Sequence, residues 1–584
     1  MRLLCFSLIL ACNGRCGRDP DTCDDADRRT WYADEDGDGY GDSLAMSESC
    51  EAPQGAVSVG EDCDDGDAEH WLSASLWPDQ DGDGFGAGGA VEVCAGAAGY
   101  ADQDGDCDDQ DAARSPGAAP ACGDGIDQDC DAQTDCDLPA GAEEVVDVAA
   151  TRFYGVPGGA LGSAVAGLGD LDGDGLADLG LGAPLADPWG AAQVYFGPTA
   201  ALEDANSADL FLSSVETDPD EESIQVGSAL AAADVTGDGQ RDLIVGAGEN
   251  RYYSGGDTTY IFSGPVTSGE IVVNDDASAI ALLGAGGRAF LTDLNYGGSD
   301  DIDLLVGSGV VEFHRGPITE SGYSDEVRQG ILKSSTFSGS SFGLAMALGD
   351  LNADGQADLV AGAAEMEWDM ADGDSRGDLG GAYLFVSPSD FTRDDSFLAS
   401  EDLSILGNTD GAQLGAALAF AGDPNGDGYD DLYVGAPGAL DEHGEATGAV
   451  YYFDGATLAA LDRETEIYAD SATFALYGGE VGDEFGASLL TGLVVDGQAA
   501  LVIGAPGHDD ATGAVAVFYQ QPSDGDTLYE ADYRLSGTAP GDRFGATLAN
   551  ARDTNGLGWD DLLIGAPGTS DGDGAGWLMV FDQL

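Results

Sequence analysis

The sequence predicts an all-β chain: a seven-bladed β-propeller preceded by a small, acidic, cysteine-bearing N-terminal region. Three observations predict it. From about residue 145 onward, one stretch with three landmarks recurs seven times. Each copy runs on into a second apolar, aromatic-rich segment bounded by glycine, which reads as strand. All 11 cysteines lie at or before Cys136, so the two parts of the chain are stabilised in different ways.

The first copy, "LGSAVAGLGDLDGDGLADLGLGAP", begins at Leu161. Its echoes begin at Val226, Leu283, Phe342, Leu414, Phe485 and Phe544, 57 to 72 residues apart. That spacing lies in the range of propeller blades. In each copy small residues come first, and they suit an inner strand where blades converge on an axis. An acidic loop follows, then an apolar strand that in copies one, five, six and seven stops at Gly-Ala-Pro, because proline has no N–H for a ladder. Aromatic runs such as "AAQVYFG", "GAYLFVS" and "GAVYYFDG" supply the third strand, and a fourth lies outside it. The last aromatic strand, near Trp577–Phe581, has no fourth strand after it. The segment "EVVDVAATRFYG" stands before the first copy and is predicted to complete the last blade, so that closure hides most sheet edges.

The acidic loops carry oxygen ligands on alternate residues with glycine at the bends, a pattern that suits Ca²⁺ and its about six to eight oxygen ligands. In copy one, Asp170, Asp172 and Asp174 occupy positions 1, 3 and 5. The Leu176 carbonyl stands at 7 and Asp178 at 9. An EF-hand would need Glu at position 12, where Leu181 stands, so the loop joins two strands instead. Copy four offers Asp350, Asn352, Asp354, the Gln356 carbonyl and Asp358. Copy five offers Asp423, Asn425, Asp427, the Tyr429 carbonyl and Asp431. Copy two has Asp234, Asp238, the Gln240 carbonyl and Asp242, but Thr236 at position 3, so weaker binding is expected. Copy seven keeps Asp553, Asn555 and Asp561 but has Leu557 at position 5. Copy three has Asp293 and Asn295 and then an insertion that displaces the later acids. Copy six has only Asp496, and no binding is expected there. The alternative for every loop is an Asx-rich turn held by its own backbone.

Residues 31–137 repeat as well. "WYADEDGDGYGD" is echoed by "WPDQDGDGFGA", and "EDCDDGDAEH" by "GDCDDQDAAR". The first unit offers Asp34, Asp36, Asp38, the Tyr40 carbonyl and Asp42. The second offers Asp79, Asp81 and Asp83, with Ala87 at the ninth position. Cys50 to Cys63 and Cys94 to Cys107 are equally spaced, which suggests two copies of one disulfide-closed unit in an oxidising compartment. No Cys-x-x-Cys is present to argue for a thiolate metal site.

The Phe-Gly pairs (Phe342–Gly343, Phe485–Gly486, Phe544–Gly545), the acidic nonapeptides and the Gly-Ala-Pro triplets resemble FG-GAP repeats, the units of the integrin α-chain β-propeller, over about 145–584. The Asp-Gly-Asp-Gly and Asp-Cys-Asp-Asp signatures resemble metal-binding repeats of extracellular bacterial proteins and thrombospondin type 3 calcium repeats. The resemblances imply an integrin α-like propeller behind a disulfide- and calcium-rich stalk, with Ca²⁺ as a structural cofactor.

A formal charge of −91 with only 19 basic residues leaves no basic patch, which argues against a nucleic-acid partner. Four filled propeller sites would add only eight positive charges, so calcium acts locally on carboxylate repulsion and the rest of the surface is acid-solvated. The start, Met1-Arg2 and "LLCFSLILA", then Cys12, resembles a bacterial lipoprotein signal. Residues 1–11 are expected to be a signal peptide and 12–30 a linker. A lipid on Cys12 would be the one membrane attachment, at the outer membrane; without it the exported protein is extracellular. Counting against lipidation, the nine cysteines left after Cys5 and Cys12 cannot all pair.

No catalytic site assembles in the sequence. His70, His314, His443 and His508 are scattered, "GSSFG" (Gly339–Gly343) sits at a strand start, and the "RGD" at Arg376–Asp378 is too short to carry weight. Two readings remain. One is a calcium-stabilised surface module that binds a protein or glycan through long loops holding Tyr252, Tyr253 and Trp368. The other is a calcium-dependent carbohydrate-active enzyme of the polysaccharide lyase type, which would need a base beside its metal. The scarcity of Lys and His weighs against it.

Overall fold

Each copy of the long repeat folds as an antiparallel meander. In the first, Ala164–Gly169, Asp178–Ala183, Ala191–Tyr195 and Leu210–Ser213 pair in that order, with Val165 opposite Leu181 and Leu181 opposite Gln193. Side chains alternate between faces along a strand. Leu179 and Leu181 therefore share one face, while Gly180 and Gly182 lie on the other. The computed structural model describes residues 28–579 apart from breaks, the main ones at 67–72, 115–141, 198–207, 215–224, 249–257, 274–278, 284–288, 293–301, 324–329, 333–340, 387–401, 555–559 and 569–573.

The chain divides into two compact units, Met1–Leu138 and Pro139–Leu584. Among the described residues of the second are seven sheets of four or five strands. Their second strands are Asp178–Ala183, Asp242–Ala247, Leu304–Gly307, Asp358–Gly362, Asp431–Ala436, Gln498–Ala505 and Asp561–Ala566. The segment expected to supply the missing strand does so: Ala149–Tyr154 pairs antiparallel with Ala575–Met579, Arg152 opposite Trp577.

The core lies between consecutive sheets. One cluster joins Ala192, Val194 and Leu210 of the first sheet to Leu243, Val245 and Phe262 of the second. Others join the second to the third, the third to the fourth, the fourth to the fifth and the fifth to the sixth. A further cluster packs Leu179 and Leu181 of the first sheet on Phe153, Leu563 and Leu578 of the last.

The recurring glycines explain how the sheets come so close. A Cβ on Gly182, in Gly-Ala-Pro, would stand 2.0 Å from the carbonyl oxygen of Gly227, which opens the next copy. The same contact recurs at Gly362–Gly415, Gly435–Gly486 and Gly504–Gly545, and Gly565 of the last copy meets Gly162 of the first in the same way. Each of these glycines is thus the seat for the backbone of the following copy. Gly182→Ala is expected to cost about 1–3 kcal/mol by overpacking, read as a lowered Tm. Gly377→Ala is the neutral control, since its Cβ position is open.

In the first unit, Ala56–Val57, Arg29–Ala33, Gly41–Ser49 and Gly60–Asp62 form one sheet. Val91–Cys94, Ser73–Pro78 and Tyr100–Ala101 form a second, and Phe85–Gly86 pairs with Gln103–Asp104. The expected bond within each acidic unit is not what forms. Cys63 is bonded to Cys94, so the bond runs between the two acidic units and does not close either one. Cys50 and Cys107 are disulfide-bonded as well. The equal spacing reflects a repeated position of cysteine in two similar units, not a loop closed within each. Cys12 lies outside the described residues, and no helix among the described residues is long and apolar enough to cross a membrane.

Candidate metal centres

The acidic loops connect first to second strands. In copy one the loop folds on its own backbone: Asp170 accepts from the amides of Gly173 (2.7 Å) and Gly175 (3.1 Å), Asp172 from Asp174 (3.0 Å) and Asp174 from Leu176 (2.8 Å). Gly173 and Gly175 have φ of 89° and 95°, which favours glycine. Oxygens of Asp170, Asp172 and Asp178 lie within 4.8 Å of one another.

Asp178 is fully buried at the first residue of its strand. It accepts from the amides of Leu171 (2.6 Å), Asp172 (3.3 Å) and, across the sheet, Gly197 (2.9 Å). Burial pushes its carboxyl up to about 6, and the Asp172 charge adds to this against the three backbone donors. A cation in the loop would reverse that balance by stabilising the ionised form.

Copy two converges likewise. Asp234, Asp238 and Asp242 bring oxygens within 4.8 Å. Thr236, which stands at the third ligand position, donates its hydroxyl to Asp242 at 3.1 Å and so reinforces the buried acid. Burial holds Asp242 above the usual carboxylate range.

Copies four and five have the same Asx turns, with Asp350 accepting from Asp354 and Gly355, and Asp423 from Asp427 and Gly428. Their carboxylates are not among the described groups of three that converge. An asparagine stands at position 3 in both. The Asn352 amide donates to Asp354 (3.1 Å), and the Asn425 amide to Asp431 (3.2 Å) and Asp454 (3.0 Å). A neutral donor relieves carboxylate repulsion that a third aspartate would add. In copy five, Asp431 also accepts from the Tyr452 hydroxyl and the Gly455 amide, and burial raises its pKa.

The ninth aspartate has a second role that the sequence did not disclose. Asp178, Asp242 and Asp431 each take an amide from the turn after the third strand, at Gly197, Gly264 and Gly455. In copy three Asp303, also fully buried, takes that of Gly316 at 2.9 Å. Despite the insertion, this acid keeps its place at the strand start. In copy seven, Asp561 is held by the amide and hydroxyl of Thr554. The glycine after the aromatic strands of copies one, two, three and five was the available signal. Asp293, Asn295, Asp496, Asn555 and Leu557 lie outside the described residues.

Neighbouring loops are tied together. The Asp430 amide donates to the Asp350 carbonyl (3.1 Å), and Asp430 accepts from the Asp350 amide (2.8 Å). The Ala177 amide of copy one donates to the Asp553 carbonyl of copy seven (3.3 Å).

In the first unit, Asp34, Asp36 and Asp38 bring oxygens within 4.8 Å, while Asp42 accepts from the Leu44 amide (2.7 Å). Asp79 accepts from Gly82 (2.6 Å) and Gly84 (3.3 Å), and Asp83 lies outside the described residues.

The FG-GAP repeat family matches residues 226–262 and 414–453, the cores of copies two and five. The chain carries FG-GAP repeats. A second family, Cu-binding MopE ("Putative metal-binding motif"), matches residues 106–135. Relatives include Integrin alpha-PS5 of Drosophila melanogaster, 35% identical over 174 residues, covering 29% of this chain and 15% of that protein. Phosphatidylinositol-glycan-specific phospholipase D of Rattus norvegicus is 32% identical over 240 residues, covering 38% of this chain and 26% of that protein. The chain thus matches only a minor part of these relatives' length. Among solved structures, Chaetomium thermophilum Raptor aligns over 74% of this chain and 28% of its own, at 11% identity and a TM-score of 0.35.

Of the loops on long FG-GAP connections, Trp368–Asp369 pairs with Ser375–Arg376 as a short ribbon. Asp378 of the "RGD" is exposed with φ of 52°. Tyr252 and Tyr253 lie outside the described residues. In "GSSFG", Ser341 is buried and its hydroxyl accepts from the Glu365 amide (3.0 Å), a structural role.

Proposed function

We propose that the seven sheets are the blades of one closed β-propeller, that Ca²⁺ in the acidic loops stabilises it, and that an exported surface protein uses it to bind a protein or glycan. Closure is supported by contacts between the first and last copies, namely Gly565 with Gly162, Ala177 with Asp553, and the cluster around Phe153. Calcium is supported by convergence of aspartate oxygens alone, since hard oxygen donors select hard cations.

The binding role rests chiefly on FG-GAP repeats held in common with integrin alpha chains. The long connections between second and third strands are the contact surface in this reading, because a rigid scaffold with variable loops is the usual arrangement for recognition. Export and surface attachment rest on the N-terminal signal pattern and on disulfides.

A glycan and protein array probed in calcium and in EDTA, paired with an assay for reducing ends and unsaturated sugars, tests the reading. Calcium-dependent binding without turnover is the expected result. Release of unsaturated products would replace it with the lyase reading.

A further inference from the structure

The first acidic loop has a neighbour that its own motif does not contain. Asp62, in the Asp-Cys-Asp-Asp motif, is 9% exposed, and its Oδ2 accepts no hydrogen bond. Its Oδ1 accepts from the Asp64 amide at 2.9 Å. Asp36 and Asp38 are arranged alike. Their Oδ1 atoms accept from the amides of Asp38 (3.2 Å) and Tyr40 (2.7 Å), and their Oδ2 atoms are shielded from solvent without a donor. Strand pairing sets Asp62 opposite Asp42, the last acid of the loop.

We propose that Asp62 completes a divalent-cation site with Asp34, Asp36 and Asp38, so that the Asp-Gly-Asp-Gly and Asp-Cys-Asp-Asp motifs are two halves of one site. The backbone makes the meeting. Gly60–Asp62 runs parallel to the strand after the loop, with Gly41 opposite Gly60 and Asp42 opposite Asp62. A Cβ on Gly60 would stand 2.3 Å from the Tyr32 ring, so only glycine lets the strand close down there. The Cys63–Cys94 bond then fixes the residue next to Asp62.

The second unit repeats the placement. Phe85–Gly86 runs parallel to Gln103–Asp104, Gly86 opposite Asp104, and both Asp79 and Asp106 are 8% exposed. Asp106 is the counterpart of Asp62 in the second "DCDD". The donors are carboxylates throughout, and the adjacent cysteine is oxidised. That set favours Ca²⁺ over copper, which prefers imidazole or thiolate ligands.

The proposal rests on the reading that the Asp34–Asp38 loop takes a cation, and its test separates the two. Bound calcium is counted by equilibrium dialysis on the full chain, with Asp34→Asn, Asp62→Asn and Asp64→Asn beside wild type. Asp34→Asn and Asp62→Asn are each expected to weaken one calcium about tenfold or more, and Asp64→Asn to change nothing. If Asp34→Asn weakens a site and Asp62→Asn does not, the loop binds without Asp62 and the proposal fails. If neither does, the cation reading of the loop fails with it. Carbodiimide labelling of unmodified protein removes any dependence on variant folding. Calcium is expected to protect Asp62 together with Asp36 and Asp38. Equal labelling of Asp62 with and without calcium overturns the proposal.

Discussion

Phe153→Ala is expected to destabilise the unit from Pro139 onward by about 3–5 kcal/mol, a large effect for a residue well before the first repeat. Phe153 is 1% exposed, and its ring centroid lies 4.5 Å from that of Tyr195 in the first sheet. Its strand is hydrogen-bonded to Ala575–Met579 in the last. The side chain therefore packs between the first and last copies, and its loss opens a cavity at that junction. Arg152 lies 4.4 Å from the Trp577 ring centroid and 4.5 Å from that of Tyr154, so the polar side of the strand is anchored too. Urea unfolding of the full chain measures the cost, with Phe153→Leu as the milder partner. A Phe153→Ala midpoint equal to wild type would mean that the junction carries no load, and the closed ring would lose its main support.

Calcium and pH are expected to act on the same buried acids in opposite directions. The carboxyl of Asp178 is pushed up to about 6, and those of Asp242 and Asp431 are raised as well, each by burial first. An acid whose folded pKa exceeds its unfolded value binds more protons when folded. Its stabilising contribution is complete below about pH 4 and is lost as pH rises through about 6. In EDTA the Tm should therefore fall between pH 5 and pH 7. Calcium binds the ionised form and should restore stability at pH 7, by about 1.4 kcal/mol per site at a free concentration about ten times Kd. Binding should weaken toward pH 5, because protons compete for the same oxygens. The control is an EDTA-free melt at matched ionic strength. Calcium and EDTA melts that superimpose at pH 7 would remove calcium from the account of stability. A flat EDTA profile from pH 5 to pH 7 would remove Asp178.

Much of this was legible because the chain repeats itself. One acidic loop is ambiguous between a helix-hand and a turn, but seven aligned copies give the strand order, and Leu181 at the twelfth position rules out the hand. The contacts inside the loops were less legible. The amides of Asn352 and Asn425 donate to neighbouring carboxylates, a direction that composition does not reveal. Thr236, which offers the loop no carboxylate at position 3, donates its hydroxyl to Asp242. Asp303 was hidden by an insertion, because linear spacing fails where the chain loops out and returns.

The sequence by itself determined the all-β character, the repeat and its landmarks, and the supply of a last strand from before the first copy. Local alternation and turn chemistry are enough for those. Tertiary structure alone decided which residues meet across repeats: Gly182 against Gly227, Cys63 with Cys94, and Asp62 opposite Asp42. Such meetings depend on how sheets and strands close on one another, and no spacing along the chain encodes that distance.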